Sequence, residues 1–504
     1  MSERNGLDKG VLAVAGVVVL GAVMSILDTT IVNVAIDSLS RDFHTSLSTI
    51  QWISTGYMLA LATVIPLTGW AADRFGTKRL YILSIVLFLA GSALSGAAWS
   101  AGSLIAFRVL QGLGGGMIMP AGMTIMTRAA GPTRVGRVMS IVGVPMLLGP
   151  VLGPILGGWL VDDVSWRWIF YVNLPIGAIA LPLAMRILPA DRPQPSERLD
   201  VLGVALLSPG LAAFVYGLSE TASNGVGAAR AWAPMLAGAV LVTAFALHAL
   251  RSTHPLIDLR LFKDRAVAAS AMTTGFFGAA FFGAMLLLPL YYQVLRGASA
   301  LDAGLLIAPQ GIGAMVTMPI AGRLTDRTGA GRIVLVGLAL TLAGTLVFTR
   351  VTASTSYWIL GGALFLRGMG MGATMMPAMS AAFQTLSRGA VARATTALNI
   401  VQRVGGSLGI AILAVVLQHQ ITASVPAANG GGLSAAQNVP PALRAHVAPA
   451  IGSAFASTFW WAFALTAIAV VPALFLPRHL PASEERRDPA PAPERDEEAA
   501  AVAA

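Results

Sequence analysis

The sequence predicts an all-α polytopic membrane protein, and three observations predict it. Charge is scarce: 11% of the 504 residues are charged and 56% are hydrophobic, against roughly 25% charged in a soluble domain. So few charges cannot cover a water-facing surface. Apolar runs of about 20 residues, the length that crosses a bilayer, recur along the chain, as at 11–27, 80–106, 201–219 and 231–250. These runs show no period-two alternation, so helices and not a β-barrel satisfy their backbone in lipid.

Taken in order, the runs give fourteen spans, at roughly 11–36, 50–71, 80–98, 102–124, 137–161, 166–188, 200–220, 231–250, 266–292, 302–322, 332–350, 356–378, 394–417 and 453–476. Arg4 and Lys9, offset by Glu3 and Asp8, precede the first run. That run outlasts a signal peptide and has no small-residue cleavage site behind it, so it is expected to stay as a span. Residues 1–10 are then a short leading segment and 11–188 a first group of six spans. A linker with two further spans covers 189–265, and a last group of six covers 266–476, with a long loop at 418–452. The Ala-, Pro- and Glu-rich tail 477–504 has the composition of a disordered segment.

The basic residues orient the chain. With the N-terminus cytoplasmic, the outer segments carry Arg41, Arg167, Arg230, Arg296, Arg350 and Arg444, and the spans themselves carry Arg108, Arg367 and Arg403. The other 24 of the 33 lysines and arginines fall on the inner side. The positive-inside rule selects this arrangement, with both termini cytoplasmic. The net charge of +10 is thereby a topology signal and not a nucleic-acid footprint, which would need one basic face. Arginine outnumbers lysine thirty to three, which points to a GC-rich bacterial genome and places the chain in a bacterial inner membrane. Cysteine is absent, and the six histidines never stand at the i, i+4 spacing of a helical metal pair, so neither a thiolate nor a metal site is expected. No cofactor is expected either.

One stretch is repeated. Gly69-Trp70-Ala71-Ala72-Asp73-Arg74-Phe75-Gly76-Thr77-Lys78-Arg79 and Gly322-Arg323-Leu324-Thr325-Asp326-Arg327-Thr328-Gly329-Ala330-Gly331-Arg332 both read G-x-x-x-D-R-x-G-x-x-R. Each follows the second span of a six-span group, so the groups are expected to be homologous halves with spans 7 and 8 inserted between them. Parallel halves with a site between them near the midplane are a transporter architecture. A lone turn of this kind would be a solvated loop. In duplicate, with an acid able to meet a helix N-terminus or a basic residue of the opposite half, it is expected to be a gate.

The repeated loop resembles the signature of the major facilitator superfamily, and the fourteen spans resemble its drug:proton antiporter branch of the EmrB/QacA type. Other stretches agree. Leu27-Asp28-Thr29-Thr30-Ile31-Val32-Asn33-Val34-Ala35 is similar to that branch's first-helix motif, with Asp37 where proline is usual. Arg108, Gln111-Gly112 and Gly114 to Gly116 resemble its intramembrane arginine motif. Gly149, Gly153-Pro154 and Gly157-Gly158 resemble the antiporter motif, with Ser140 at its leading glycine, and Trp166 to Pro175 is similar to a stretch of the fourteen-span branch. The resemblance covers 11–476. It implies the major facilitator fold and proton-coupled efflux of amphipathic, cationic drug-like compounds. It also implies a proton-coupling role for Arg108 and a cavity-sealing role for the fifth span, whose small residues equally suit close helix packing.

Asp28 is the carboxylate expected deep in a span. It stands nine residues before Asp37, ~13 Å below the outer helix end at 1.5 Å per residue, where an ionisable group is expensive and by default functional. Arg108 lies at comparable depth and is its natural partner. Separating the two would load a proton on Asp28, and the bland reading is a fixed ion pair. Arg367 and Arg403 also lie at mid-membrane depth, and either hold anionic groups in the cavity or bond to backbone carbonyls. Candidate cavity residues are Asn33, Trp52, Tyr57, Gln111, Met119, Phe277, Tyr292, Gln293, Gln310, Asn399 and Gln402. The methionine-rich stretches of spans 4 and 12 suit either core filling or adaptable contacts. The partners expected are a small-molecule substrate, protons and the bilayer, with the chain acting as a monomer. A proton-coupled uptake carrier differs only in transport direction. A non-transporting receptor would need a sizeable soluble domain, and an ATP-driven pump a G-x-x-x-x-G-K-[ST] loop; the sequence has neither.

Overall fold

The structure is a computed structural model that describes residues 8–45, 47–131, 134–190, 198–224, 228–386, 390–424 and 441–478. Helices follow one another throughout. α1 (Lys9–Ile31) runs through a 3₁₀ turn at Val32–Ala35 into α2 (Ile36–Asp42). α3 (Leu47–Val64) and α4 (Leu67–Phe75) follow, then α5 (Thr77–Gly96), α6 (Ala101–Ala130) and α7 (Val135–Asp163). The short α8 (Trp168–Tyr171) leads into α9 (Asn173–Ile187), and α10 (Val201–Asn224) pairs with α11 (Ala229–Arg251). α12 (Arg265–Leu290) is prolonged by a π turn at Tyr291–Leu295. α13 (Ala300–Thr328), α14 (Ala330–Phe348), α15 (Tyr357–Thr385), α16 (Val391–Ser424) and α17 (Pro441–Ala473) complete the chain.

Helix starts and stops follow local chemistry. Ser100 and Ser103 form a capping box at α6, and the side chains of Asp264 and Ser299 accept from first-turn amides of α12 and α13. These bonds satisfy donors that a helix leaves open at its N-terminus. α4 and α13 end alike: Gly76 has φ 88° and ψ 144°, and Gly329 has φ 85° and ψ 153°. A side chain there would clash, so glycine is required at both copies of the repeated loop. Buried hydroxyls are returned to their own helices, as in Thr124 to Pro120, Thr127 to Met123, Thr341 to Gly337 and Thr395 to Val391. Such self-pairing hides a polar group in an apolar medium.

α1, α3, α5, α6, α7 and α9 pack as one group, and α12 to α17 as another. The groups meet through α7 against α13 and α15, and through α16 against α4 and α6. Their shared core holds Met119, Met123 and Met126 of α6 with Met371, Met375, Met376 and Met379 of α15. The α10–α11 hairpin leans on α3 and α16.

Twelve helices among the described residues are long and apolar enough to cross a membrane, and the bent pair α3–α4 makes thirteen. The remaining predicted span coincides with the 29-residue α7, several of whose side chains lie outside the described residues. Several helices overrun the expected spans, α6 to Ala130, α13 to Thr328 and α15 to Thr385, and three further features differ from the expected ones. The first span breaks into 3₁₀ four residues after Asp28. The second bends by 56° between α3 and α4, where Pro66 removes a backbone donor. The long loop expected at 418–452 shrinks, because α16 runs on to Ser424 and α17 starts at Pro441; residues 425–440 lie outside the described residues.

Candidate functional site

Asp28 opens the last turn of α1, completely buried, as is Arg108 of α6 at 1% exposure. The Nη1 of Arg108 donates to Asp28 Oδ2 at 2.6 Å and to Gln111 Oε1 at 2.8 Å. Gln111 lies one turn further along α6, so its amide comes round to the same face. Its Nε2 donates to the other carboxylate oxygen, Asp28 Oδ1, at 2.8 Å. The three side chains close a ring in which each partner fixes the other two. Asn173, the first residue of α9, adds a longer bond from Nδ2 to Asp28 Oδ1 at 3.4 Å and a second to Ser92 Oγ at 3.0 Å.

Arg108 is braced further by aromatic rings. Its guanidinium lies 4.0 Å from the Tyr57 ring centroid and 5.6 Å from that of Phe170, and Nε donates to the Ile53 carbonyl at 3.4 Å. A cation stacked on rings and paired with a carboxylate is compensated twice over where water is excluded. Stripping one partner from such a pair typically costs about 3–5 kcal/mol, because the other charge is left stranded. A proton on Asp28 would cancel the carboxylate's charge and leave the guanidinium without its counter-charge, so a proton and Arg108 are alternatives for the same carboxylate.

The small residues of α7 seat α1 beside this site. A Cβ at Gly149 would run into Ile26, one at Gly153 into Thr30, and one at Gly157 would stand 2.9 Å from Ile31. Thr30 Oγ1 uses the clearance to donate to the Gly149 carbonyl at 3.2 Å. Gly158 faces open space. The side chain of Pro154 lies outside the described residues, as does that of Asn33.

Both repeated loops bring their acid to the opposite group. Asp73 faces Arg128 of α6 at 3.6 Å and Arg393 of α16 at 3.5 Å, so one of its partners belongs to the opposite group. Asp326 caps α7: its Oδ1 accepts from the Gly136 amide at 2.9 Å, its Oδ2 from the Arg137 amide at 3.2 Å, and the Arg137 side chain stands 3.6 Å away. The leading glycines allow this approach. A Cβ on Gly69 would lie 3.2 Å from Thr396 Oγ1 of α16, and one on Gly322 would press into Ser140 and the Gly136 carbonyl of α7. Ser140 thus occupies the very contact that Gly322 leaves open. Arg74, Arg79, Arg327 and Arg332 point outward and are exposed.

The remaining candidates scatter. Tyr57 and Gln111 belong to the Asp28 network. Trp52 stacks on Tyr216 of α10, away from that network. Met119 and Phe277 are core. Tyr292 is buried in the π turn against Tyr291 and Tyr357, while Gln293 beside it is exposed. Arg367 donates to the side-chain oxygen of Gln310 and, among the described residues, to no carboxylate. Asn399 donates to the Thr395 carbonyl at 2.8 Å and meets Met123 Sδ of the other group at 3.7 Å. Gln402 packs on Gly278, and half-buried Arg403 lies within electrostatic range of Tyr57. Asn173 and Ser92 escaped the reading of the sequence as site residues. The available signal was an amide inside an apolar run, which carries no charge to mark it as costly.

A bundle of two like helix groups, joined at one face by paired acid latches and holding a compensated acid in one group, defines a membrane transporter. The chain belongs to the major facilitator superfamily, whose family model matches residues 18–410. It is 46% identical over 496 residues to a protein of Mycobacterium tuberculosis (strain H37Rv) named multidrug resistance protein B homolog, covering 95% of this chain and 92% of that one. Solved structures share the fold at low identity. The human organic anion transporter MFSD10 gives a TM-score of 0.60 at 18% identity, covering 91% of this chain and all of that one. The proton:xylose symporter XylE gives 0.58 at 15%, covering 92% and 94%.

Proposed function

We propose that the protein exports amphipathic, cationic drug-like compounds across the bacterial inner membrane in exchange for protons, by alternating access. The observation that carries the reading is the buried ring of Asp28, Arg108 and Gln111. Asp28 is the proton carrier, and Arg108 holds it ionised until a movement of the helices parts them and a proton takes the place of the guanidinium. The mycobacterial relative's name supports drugs as the cargo, and the excess of basic residues on the face of the repeated loops supports that face as cytoplasmic. In that orientation the latches at Asp73 and Asp326 hold the cytoplasmic mouth shut, and opening it breaks both. The two six-helix halves rock about the site between them, the α10–α11 hairpin is an insert, α7 serves as the fifth of fourteen spans, and the chain works as a monomer.

The test is Asp28→Asn in proteoliposomes. Asparagine keeps the size and much of the hydrogen bonding but cannot titrate, so the variant should insert, bind and exchange neutral cargo passively, and fail to accumulate a fluorescent cation under a pH gradient. Accumulation against the cation's gradient by this variant would overturn the reading.

A further inference from the structure

We propose that Asn173 is a positioning residue whose side-chain oxygen accepts a hydrogen bond from the protonated carboxyl of Asp28, and so stabilises the protonated state of the carrier. The inference rests on the reading of Asp28 as the proton carrier and deepens it. Its basis is an asymmetry in the amide. Nδ2 donates twice, to Ser92 Oγ at 3.0 Å and weakly to Asp28 Oδ1 at 3.4 Å, while Oδ1 of the same side chain is buried without any hydrogen-bond partner. An orphaned amide oxygen inside a membrane protein is expensive, and here it lies on the amide that touches the proton carrier.

The ionised carboxylate needs donors and has three: Arg108, Gln111 and Asn173. A protonated carboxyl needs, in addition, an acceptor for its O–H. Gln111 is a poor candidate, because its Oε1 already takes Arg108. Asn173 Oδ1 is free. The oxygen and nitrogen of an amide stand only ~2 Å apart, so a carboxyl displaced by that width along the amide edge exchanges the weak N–H contact for the C=O. Nδ2 keeps Ser92, whose hydroxyl donates on to the Phe170 carbonyl at 2.8 Å and ties the amide to α8. The proton arrives from the aqueous phase onto the carboxylate, and no other bond is made or broken.

The charged and titratable groups around Asp28 are Arg108 from α6 and Tyr57 from α3, with Arg403 of α16 beyond Tyr57. From α5, Tyr81 turns its hydroxyl to the Val17 and Val18 carbonyls, deeper along α1. α7, α8 and α9 place no ion-pair partner on Asp28 among the described residues.

The sign of the effect separates this role from a merely structural one. If Asn173 served only as a donor to the carboxylate, removing it would disfavour the ionised form, and the pH dependence would move to the alkaline side. If it serves as the acceptor of a hydrogen bond from the protonated carboxyl, removing it disfavours the protonated form, and the dependence moves to the acid side. For Asn173→Leu, close in size and without polar atoms, the pH at which proton-driven transport is half-maximal should fall by about half to one unit, the worth of one net hydrogen bond. Infrared titration of the protonated-carboxyl band in detergent, assigned by its loss in Asp28→Asn, reads the same quantity when transport is weak, and it should move by the same amount in the same direction. An unmoved or alkaline-shifted band in Asn173→Leu overturns the role of Asn173 and leaves Asp28 as the carrier. Absence of any band lost in Asp28→Asn overturns the carrier itself.

Discussion

Arg108 and Asp28 are tied so closely that each sets the cost of losing the other. Arg108→Gln strands a carboxylate among Tyr57, Phe170 and Gln111, and the thermal unfolding temperature in detergent should fall. Adding Asp28→Asn removes the stranded charge, so the double variant should recover part of the loss, with a coupling of roughly 1–3 kcal/mol. A double variant no more stable than Arg108→Gln would show that the two side chains do not share a charge balance. Both residues were legible in the sequence for one physical reason: a charge far inside an apolar run is too expensive to be incidental, and a rise of 1.5 Å per residue converts position into depth. Gln111 was legible as part of the arginine-motif resemblance and as a candidate cavity residue, but not as a partner of Asp28. A neutral amide carries no comparable penalty, so nothing in its spacing said whether it faces a substrate or closes a ring with Asp28 and Arg108. The same ambiguity hid Asn173.

Among the elements, the acids of both repeated loops reach the opposite group of helices. Asp73 stands 3.5 Å from Arg393 and 3.6 Å from Arg128, and Asp326 holds the first turn of α7 through two backbone amides. Loss of such a cap costs about 0.5–2 kcal/mol, enough to move a two-state population several-fold. Asp326→Ala, which removes both acceptors, should therefore open the mouth at the repeated loops, as read by spin-label distances across that face. Unmoved distances would demote the capping contact to a static one. The duplication that pointed to these loops was legible from eleven-residue repeats, and the matching backbone angles of Gly76 and Gly329 follow from it. Which partner each acid takes was not legible, because Arg128, Arg393 and the start of α7 are brought there by packing between groups distant in the chain. The bend at Pro66 could have been read, since proline in a span marks a broken ladder, but proline kinks and straight proline-containing helices look alike in sequence. α6, with Pro120 inside it, is continuous.

At the scale of the whole molecule, Asp28 and Asp326 are the buried carboxylates among the described residues, and only Asp28 lies away from the repeated loops. On the proposal that Asp28 carries the proton, one proton per cycle is the simplest stoichiometry, and exchange for a monovalent cation should then be electroneutral. Imposing a membrane potential at zero pH gradient should leave the export rate of a monovalent dye unchanged, and dications should be the poorer cargo; strong acceleration by potential would reveal a second proton carrier. The fold class was legible because lipid permits so few ways to satisfy a backbone, whereas substrate contacts were not, since apolar and amide side chains serve core and cavity alike. One further consequence lies in where the partners of Asp28 come from. Arg108, Gln111 and Asn173, which bond Asp28, and Ile53, Tyr57, Ser92 and Phe170, which brace them, all precede the α10–α11 hairpin, so on the proposed reading the proton site is encoded in one half of the gene. On that reading, changes in the other half could alter cargo contacts while leaving the proton site in place. A chimera joining this N-terminal half to the C-terminal half of a relative should inherit the pH profile of the first parent and the substrate spectrum of neither parent alone.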